Sequence, residues 1–258
     1  MTSIRTLDKA GSLPKGIDFG FDAEIPVNEF FPTIQGEAKY TGTPALFIRL
    51  QGCPVGCGFC DTKYTWDINK QDETKDINEI IEKKNLDHSK SEGNAKHKIF
   101  NVDELLQLCI DNQPDHIVFT GGEPCMHNLR GITTELDQYT HKNRQKRFTT
   151  QIETSGTFKI NCDPRTWVTL SPKINMAGGL DVLKSSYERA DEIKFPIGKQ
   201  KHIDTLMKLV DDWYFPDHVQ IWLQPLSQSK KATELCVETA MKHNFKLSLQ
   251  THKYANVR

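Results

Sequence analysis

The sequence of 258 residues has no long hydrophobic run. Its longest uninterrupted apolar stretch, Ala45 to Ile48, is far short of the ~20 apolar residues that a membrane-spanning helix needs. The first residues include Arg5, Asp8 and Lys9 and lack the apolar core of a secretory signal. We therefore expect no association with a membrane and a cytoplasmic location.

The sequence also has no surplus of either charge, because 33 basic and 34 acidic side chains give a net charge of -1. A protein that binds nucleic acid through its phosphates needs an excess of Lys and Arg. This balance argues against a nucleic-acid partner.

The seven cysteines are odd in number. Disulfides are rare in the reducing cytoplasm, so we expect no disulfide framework. Three of the seven, Cys53, Cys57 and Cys60, fall within eight residues, which makes them candidate metal ligands. Cys109 and Cys236 lie among apolar residues of helical patterns and are expected in the core. None of the four cysteines outside the crowded segment is given a ligand role.

Strand and helix patterns alternate along the chain. The seven strand candidates are Ala45 to Leu50, His116 to Thr120, Phe148 to Glu153, Trp167 to Leu170, Glu192 to Phe195, Val219 to Gln224 and Lys246 to Leu249. The helical patterns include a capping box at Asn101 and Glu104. This alternation predicts an α/β fold with mainly parallel strands, an incomplete or modified (β/α) barrel whose site lies at the carboxyl ends of the strands.

We divide the chain into an N-terminal extension, residues 1–24, and a core domain, residues 25–258. Between Lys70 and Lys98, fourteen of twenty-nine residues are charged, seven of each sign. This composition predicts a solvated insertion that is part helical around Ile77 to Lys84. A partner-docking arm is the functional alternative for the insertion.

The crowded cysteines have the spacing C-x3-C-x2-C on a loop that contains Gly56 and Gly58, and glycine allows the tight path needed to wrap a metal centre. Thiolates favour iron-sulfur clusters, zinc or copper. Zinc usually takes four protein ligands, and no second pair at zinc-finger spacing follows, so zinc is the alternative. Three thiolates on a cubane cluster would leave one iron open to an external ligand. Three buried cysteines without a metal are the remaining reading.

The sequence C-x3-C-x-aromatic-C after the first barrel strand, with Phe59 in the aromatic position, resembles the signature of the radical S-adenosylmethionine enzymes. A Gly-Gly-Glu-Pro segment, Gly121 to Pro124, stands at the end of the next strand. In that superfamily this segment contacts the amino group of S-adenosylmethionine, and Gly122 matches the contact. The resemblance implies a [4Fe-4S] cluster and S-adenosylmethionine as cofactors.

Further motifs resemble the 7-carboxy-7-deazaguanine synthase family, over residues 25–258. They are Asn28 to Glu37, Arg49 to Cys53, Asp61 to Trp66, Gln151 to Gly156, Ser171 to Lys173 and Gln250 to Lys253. One departure is Ala38, which stands where the resemblance predicts Gly and affects a local turn.

The resemblance implies a reaction on 6-carboxy-5,6,7,8-tetrahydropterin. A 5'-deoxyadenosyl radical abstracts hydrogen from the pterin, and the ring contracts to 7-carboxy-7-deazaguanine with loss of ammonia. The product feeds 7-deazapurine biosynthesis, including queuosine. The resemblance also implies Mg2+, an electron donor such as flavodoxin, and a homodimer.

The resemblance assigns site residues one by one. The cluster ligands would be Cys53, Cys57 and Cys60, the Mg2+ ligand Thr62, and the proton-transfer group Asp61. The cofactor would contact Phe59, Cys60, Asp61, Gly122, Ser171, Pro172, Lys173, Gln224, Pro225, Leu226 and Ser227. The pterin would contact Ile34, Gln35, Gly36, Glu37, Arg49, Thr120, His252 and Arg258.

Two of these side chains also have a chemical argument of their own. The guanidinium fork of Arg49 suits the substrate carboxylate, and the carboxylate of Glu37 suits N–H donors of the pterin edge. Two other functions share some motifs. A glycyl-radical activase would use the same cysteine and glycine segments on a protein partner, and a zinc-stabilised binding protein would use the cysteines without catalysis.

Overall fold

The structure is a computed structural model that describes residues 23–81, 94–142, 146–212, 215 and 218–257. The strands of the described residues are β1 (Ile25–Ile34), β2 (Pro44–Leu50), β3 (Lys98–Phe100), β4 (His116–Gly121), β5 (Thr149–Thr154), β6 (Trp167–Leu170), β7 (Glu192–Ile197), β8 (Gln220–Pro225) and β9 (Lys246–Leu247). The α-helices are α1 (Val102–Asp111), α2 (Arg130–Lys142), α3 (Lys184–Arg189), α4 (Gln200–Asp212), α5 (Lys230–His243) and α6 (Thr251–Tyr254).

The strands form one sheet in the order β3-β1-β2-β4-β5-β6-β7-β8-β9. Strands β2 and β4 to β9 run parallel, and they are the seven strands that the sequence predicts. No pairing joins β3 to β9 within the described residues, so the barrel is incomplete, as predicted.

Sequence reasoning missed the two antiparallel strands, β1 and β3. Strand β1 is interrupted by Pro26 and Pro32 and carries the polar residues Asn28 and Glu29, so it has neither the alternation of a half-buried strand nor a continuous apolar run. Strand β3 has only three residues and follows the charged segment. Both therefore lack the pattern by which the parallel strands are recognisable.

The helices pack outside the sheet. Helix α1 begins with the predicted capping box, in which Asn101 accepts from the backbone N–H of Glu104 and the Glu104 carboxylate accepts from that of Asn101. One apolar cluster centres on β1 to β5 with α1 and α2, and a second on β6 to β8 with α3 to α5. No helix among the described residues is both long and apolar enough to cross a membrane.

The described part of the charged insertion is mostly exposed and contacts the sheet at a few points. Ile80 is fully buried, and its carbonyl accepts a hydrogen bond from Phe30 N in β1 at 3.1 Å. His97 is buried as well. The predicted helix around Ile77 to Lys84 is a single 3-10 turn, Ile77–Glu79, within the residues described. Most of the described residues of the insertion are exposed, as a solvated segment predicts, and Ile80 is the one apolar residue among them that is buried. Residues 82–93 lie outside the described residues, as do residues 1–22 of the extension.

The turn after β1 fills the amino-terminal end of the barrel. Strand β1 ends at Ile34, opposite the first residue of β2, and the chain then turns inward. The side chain of Gln35 donates to Gln151 Oε1 at 3.2 Å, and the backbone N–H of Lys39 donates to Glu192 Oε2 at 3.2 Å. This plug leaves the carboxyl ends of the strands as the open end of the barrel.

Candidate active site

A cavity of about 440 Å3 lies at the open end of the barrel. The predicted site residues that line it are Ile34, Gln35, Gly36, Glu37, Arg49, Cys53, Cys57, Phe59, Cys60, Asp61, Thr62, Thr120, Gly122, Ser171, Lys173, Gln224, Pro225, Leu226, Ser227 and His252. Pro172 instead lines a neighbouring cavity of about 230 Å3, which shares Phe59, Pro196 and Leu226 with the first. Arg258 lies outside the described residues. The structure thus gathers residues that are more than two hundred positions apart in the sequence.

The cysteine loop and the Gly-Gly-Glu-Pro segment are in direct backbone contact. The N–H of Glu123 donates to the carbonyl of Gly52 at 2.7 Å. A Cβ atom at Gly122 would collide with the same Gly52 carbonyl. Close approach of the two backbones therefore requires glycine at 122, and it places the end of β4 beside the loop that follows β2.

The cysteine loop suits a cluster better than a single metal ion. Cys53, Cys57 and Cys60 are free thiols, and burial raises the pKa of Cys57. Among the described residues, no three His, Cys, Asp or Glu side chains converge closely enough to hold one metal ion. A [4Fe-4S] cluster does not need that convergence, since each thiolate binds a different iron. The three thiols of this loop are therefore the groups that would hold the predicted cluster.

The other four cysteines are buried. Cys109 and Cys236 are fully buried, and burial raises the pKa of each to about 12, as befits core thiols. Cys125 and Cys162 are also buried.

Glu123 holds two strand ends together. One carboxylate oxygen accepts from the Thr154 hydroxyl and from the N–H of Cys125, and the other accepts from the N–H and the hydroxyl of Ser155. These four donors match the acceptor capacity of a carboxylate. Glu123 thus links the ends of β4 and β5. Because its oxygens already accept four hydrogen bonds, a ligand ammonium group in the cavity would bind backbone carbonyls instead.

Lys173 and Phe59 form the wall next to the cysteine loop. The ammonium of Lys173 donates to the hydroxyl and carbonyl of Ser171, and it lies 5.9 Å from the ring centre of Phe59. Burial lowers the pKa of Lys173. Phe59 is 47% exposed, which is high for a large apolar residue, and it lines the cavity.

A strained turn follows β8. Ser227 and Gln228 both have positive φ, 55° and 51°, in a segment without glycine. Two consecutive left-handed residues are costly for side chains with a Cβ atom. Ser227 lines the cavity together with Pro225 and Leu226, so the strain lies where the sequence predicts cofactor contacts.

Two carboxylates and a buried ammonium form the floor. The Lys194 ammonium, with its side chain 7% exposed, forms an ion pair with Glu37 and lies 3.4 Å from Glu153 Oε1. Gln224 and Gln250 donate to the other oxygen of Glu37 at 3.1 and 2.7 Å. Burial opposes ionisation of Glu37, but Lys194, with smaller contributions from Gln250 and His252, outweighs it and lowers its pKa to about 2. Glu37 is therefore ionised at neutral pH.

Arg49 is held against β1. Its Nε donates to Glu29 Oε1 at 2.7 Å, and Tyr64 donates to the same oxygen at 3.3 Å. Its guanidinium carbon lies 5.8 Å from the ring centre of Phe31. The counter-charge of Glu29 outweighs burial and raises the pKa of Arg49 further, so a fixed cation lines the cavity.

His252 closes the floor from the carboxyl-terminal side. The backbone N–H of Thr251 donates to the Gly36 carbonyl at 3.0 Å. A Cβ atom at Gly36 would collide with the His252 ring, so this contact requires glycine. Burial lowers the pKa of His252, which keeps the ring neutral near pH 7.

The predicted Mg2+ ligand and proton-transfer group lie at the cavity mouth. The Thr62 hydroxyl is 3.6 Å from Cys60 Sγ, and Asp61 is exposed beside it. Both line the cavity. Their predicted roles stay predictions.

Comparison with known proteins identifies the family. No protein-family model matches the chain. The chain is 44% identical over 237 residues to the 7-carboxy-7-deazaguanine synthase of Escherichia coli strain K12, which covers 91% of this chain and 99% of that protein. It is also 44% identical over 235 residues to the protein of the same name from Buchnera aphidicola subsp. Schizaphis graminum, covering 90% and 99%.

The chain belongs to the 7-carboxy-7-deazaguanine synthase family. A crystal structure of QueE from Escherichia coli has the same fold, with a TM-score of 0.79 at 42% identity over 88% of this chain and 94% of that chain. Membership of the family confirms the resemblance predicted from the motifs. Family membership supports the synthase over the two alternatives, the glycyl-radical activase and the zinc-stabilised binding protein.

The sequence analysis did not identify three charged residues in and around the site, namely Lys194, Glu153 and Glu29. Each lies within a strand, where a buried charge is rare unless it is paired. A charged residue inside an apolar strand pattern, as at 153 and 194, was the available signal. The sequence could not predict which residues they pair with, because each ion pair joins segments that are distant in the sequence.

Proposed function

We propose that this chain catalyses the ring contraction of 6-carboxy-5,6,7,8-tetrahydropterin to 7-carboxy-7-deazaguanine with release of ammonia, a carbon-nitrogen lyase reaction. The product serves 7-deazapurine biosynthesis, including queuosine. The observation that carries the proposal is one cavity in which the three-cysteine loop faces a fixed arginine and a carboxylate pair. These groups match a cluster, a substrate carboxylate and a guanidine-like pterin edge, respectively.

The cofactor half of the cavity lies beside the cysteine loop. Cys53, Cys57 and Cys60 would hold the [4Fe-4S] cluster. When bound, the cluster and S-adenosylmethionine supply a 5'-deoxyadenosyl radical that abstracts hydrogen from the substrate. The carbonyls beside Gly122 would receive the amino group of S-adenosylmethionine. Further contacts would come from Phe59, Asp61, Ser171, Pro172, Lys173, Gln224, Pro225, Leu226 and Ser227.

The floor suits the guanidine-like edge of the pterin. The ammonium of Lys194 lies between Glu37 and Glu153, and it favours the ionised, acceptor-only form of Glu37. Both oxygens of Glu37 already accept hydrogen bonds, whereas Oε2 of Glu153 accepts none within the described residues. Glu153 therefore offers a free acceptor to a pterin N–H, and Glu37 supports it. Ile34, Gln35, Gly36 and Thr120 complete this half of the cavity.

Arg49 would bind the substrate carboxylate, because it is the fixed cation on the wall between floor and mouth. His252 is neutral, so its ring can accept one hydrogen bond from the substrate and donate another. Asp61 would transfer a proton at the mouth, with Mg2+ held at Thr62 next to it. Arg258 is proposed as a further pterin contact on the resemblance alone.

The partners are proposed on the resemblance as well. A flavodoxin-like protein would reduce the cluster, and two copies of the chain would form a homodimer. Sedimentation of the reconstituted protein measures the second of these directly, and a monomer at all concentrations would contradict it.

Anaerobic reconstitution followed by turnover tests the proposed function. The reconstituted protein is incubated with the carboxytetrahydropterin, S-adenosylmethionine, Mg2+ and a reductant, and 7-carboxy-7-deazaguanine is measured by mass spectrometry. Product that accumulates well beyond the S-adenosylmethionine consumed supports the proposal, since the family regenerates the adenosyl group. A reducible cluster without deazaguanine product would refute it, and stoichiometric zinc without a reducible cluster would refute the cluster assignment too.

A further inference from the structure

The contact between Arg49 and Glu29 joins two neighbouring strands, with Glu29 fully buried and Arg49 partly exposed to the cavity. Glu29 is completely buried, and the two residues stand directly opposite each other in β1 and β2. Tyr64 donates to the same Glu29 oxygen that accepts from Arg49 Nε. A buried carboxylate with two convergent donors is held in one orientation.

A β-bulge puts Glu29 on the face where Arg49 lies. Val27 stands opposite Leu50, but Glu29 stands opposite Arg49, so Asn28 is an extra residue in β1. Without that extra residue, Glu29 would stand opposite Ile48 and would point to the other face of the sheet. The bulge therefore turns Glu29 from the apolar core toward the cavity wall.

The bulge is itself anchored. The Asn28 side chain donates to Gln51 Oε1 at 2.8 Å and to the backbone carbonyls of Asn94 and Lys96 at 2.8 and 3.1 Å. The Gln51 side chain in turn donates to the carbonyl of Tyr64 at 3.0 Å. One hydrogen-bonded unit thus fixes the bulge and the segment that carries Tyr64, and both converge on Glu29.

The hydrogen bond leaves a defined part of the guanidinium for a ligand. Glu29 accepts from Nε, and within the described residues Arg49 makes no hydrogen bond through its two terminal nitrogens. A Cβ atom at Gly121, which has φ of 116°, would collide with the backbone of Leu50 and press on the stem of Arg49. The stem and Nε are therefore constrained, and the terminal edge is the part that can bind a carboxylate in two parallel hydrogen bonds.

We propose that Glu29 is a positioning residue that fixes Arg49 so that the terminal edge of its guanidinium, and not the Nε side, receives the substrate carboxylate. The inference rests on the proposed function, in which Arg49 binds that carboxylate. It adds that the position of the Glu29 oxygen, more than its charge, sets affinity for the substrate.

Two substitutions separate position from charge. Glu29→Gln keeps the length of the side chain and an oxygen that accepts from Nε, but it removes the charge. Glu29→Asp keeps the charge but withdraws the oxygen by about 1.5 Å, one carbon–carbon bond. The reconstituted enzymes are compared in kcat, in KM for the carboxytetrahydropterin, in KM for S-adenosylmethionine as the matched control, and in melting temperature.

The proposal expects Glu29→Asp to raise KM for the pterin about tenfold, with kcat and KM for S-adenosylmethionine within about twofold of wild type. It expects Glu29→Gln to keep KM for the pterin within about twofold, although its melting temperature falls because Arg49 loses its counter-charge. An unchanged KM in the Asp variant, or an equal increase in both variants, would overturn it.

Arg49→Lys distinguishes this inference from the proposed function. If Arg49→Lys leaves KM for the pterin unchanged, Arg49 does not bind the substrate and the assignment under the proposed function fails. If Arg49→Lys raises KM but Glu29→Asp does not, only the positioning role fails.

A measurement on the wild-type enzyme does not depend on the folding of any Glu29 variant. In enzyme labelled with 15N-arginine, the Arg49 Nε–H resonance is assigned by its loss in Arg49→Lys. Because the Nε hydrogen bond to Glu29 is expected to persist, this resonance should keep its chemical shift when the pterin is added. A large shift or loss on adding the pterin would mean that the substrate displaces Glu29, and it would overturn the proposal.

Discussion

Lys194 is the side chain whose removal should most disturb the floor of the cavity. Its ammonium supports ionisation of Glu37, whose pKa is lowered from 4.5 to about 2 although burial acts in the opposite direction. A shift of this size corresponds to about 3 kcal/mol of stability at neutral pH. The contribution is present above the ordinary carboxyl pKa and is lost only as the pH falls toward 2. Lys194→Met removes the cation but keeps a flexible side chain of similar length.

The variant should therefore unfold about 6 to 12 °C below wild type near pH 7, at roughly 2 to 4 °C per kcal/mol for a chain of this size. Without Lys194, burial becomes the main influence on Glu37 and raises its pKa above the unfolded value. A raised pKa stabilises at low pH and loses that stabilisation as the pH rises. The gap in melting temperature between wild type and Lys194→Met should thus widen as the pH rises above 4.5, the ordinary value of this carboxyl.

Thermal unfolding of the reconstituted enzymes across that pH range is the assay. Lys230→Met is the matched control, because the Lys230 side chain is 91% exposed and lies 3.9 Å from Glu234. The control should change the melting temperature little at any pH. A gap for Lys194→Met that does not vary with pH, or a variant as stable as the control, would refute the account of the floor. Adding Glu37→Gln to Lys194→Met should recover part of the lost stability, since no uncompensated carboxylate then remains at 37.

Three further substitutions test separate parts of the molecule. Cys57→Ala should abolish both the iron–sulfur absorbance after reconstitution and turnover, because two thiolates hold a cubane poorly; a stable, active cluster would contradict the ligand assignment. Thr62→Val should keep the cluster but weaken activation by Mg2+, measured as the rate against Mg2+ concentration; an unchanged Mg2+ response would remove Thr62 from the metal site. Ala38→Gly should raise the melting temperature by a few degrees, because Ala38 has φ of 53° and glycine adopts this conformation without strain; a lower melting temperature would show that the buried methyl group outweighs the strain.

The parallel part of the sheet was predictable because its strands are buried on both faces and read as short apolar runs. The cysteine loop and the Gly-Gly-Glu-Pro segment were predictable for another reason, since each is local in sequence and stands at a strand end. Their contact through Gly52 and Gly122 follows once the strands are known to be neighbours. In these regions local pattern and final structure agree.

The floor and the arginine wall were not predictable in the same way. The pair of Lys194 and Glu37 joins residues 157 positions apart. The pair of Arg49 and Glu29 depends on a one-residue bulge that the sequence does not announce. Register and bulges determine which side chains share a face, and a pattern of residue types does not contain that information. For the charged insertion, composition predicted the exposure of most described residues, but it did not identify Ile80 as the residue that packs against β1.

The contact between Gly36 and Thr251 also sets the order in which the molecule can become functional. The two residues are 215 positions apart, yet their backbones meet beneath the cavity. During synthesis on the ribosome, the wall that carries the cysteine loop can form early, while the floor waits until residues 248–252 have emerged. A nascent chain could therefore acquire its cluster loop long before it has a place for the substrate.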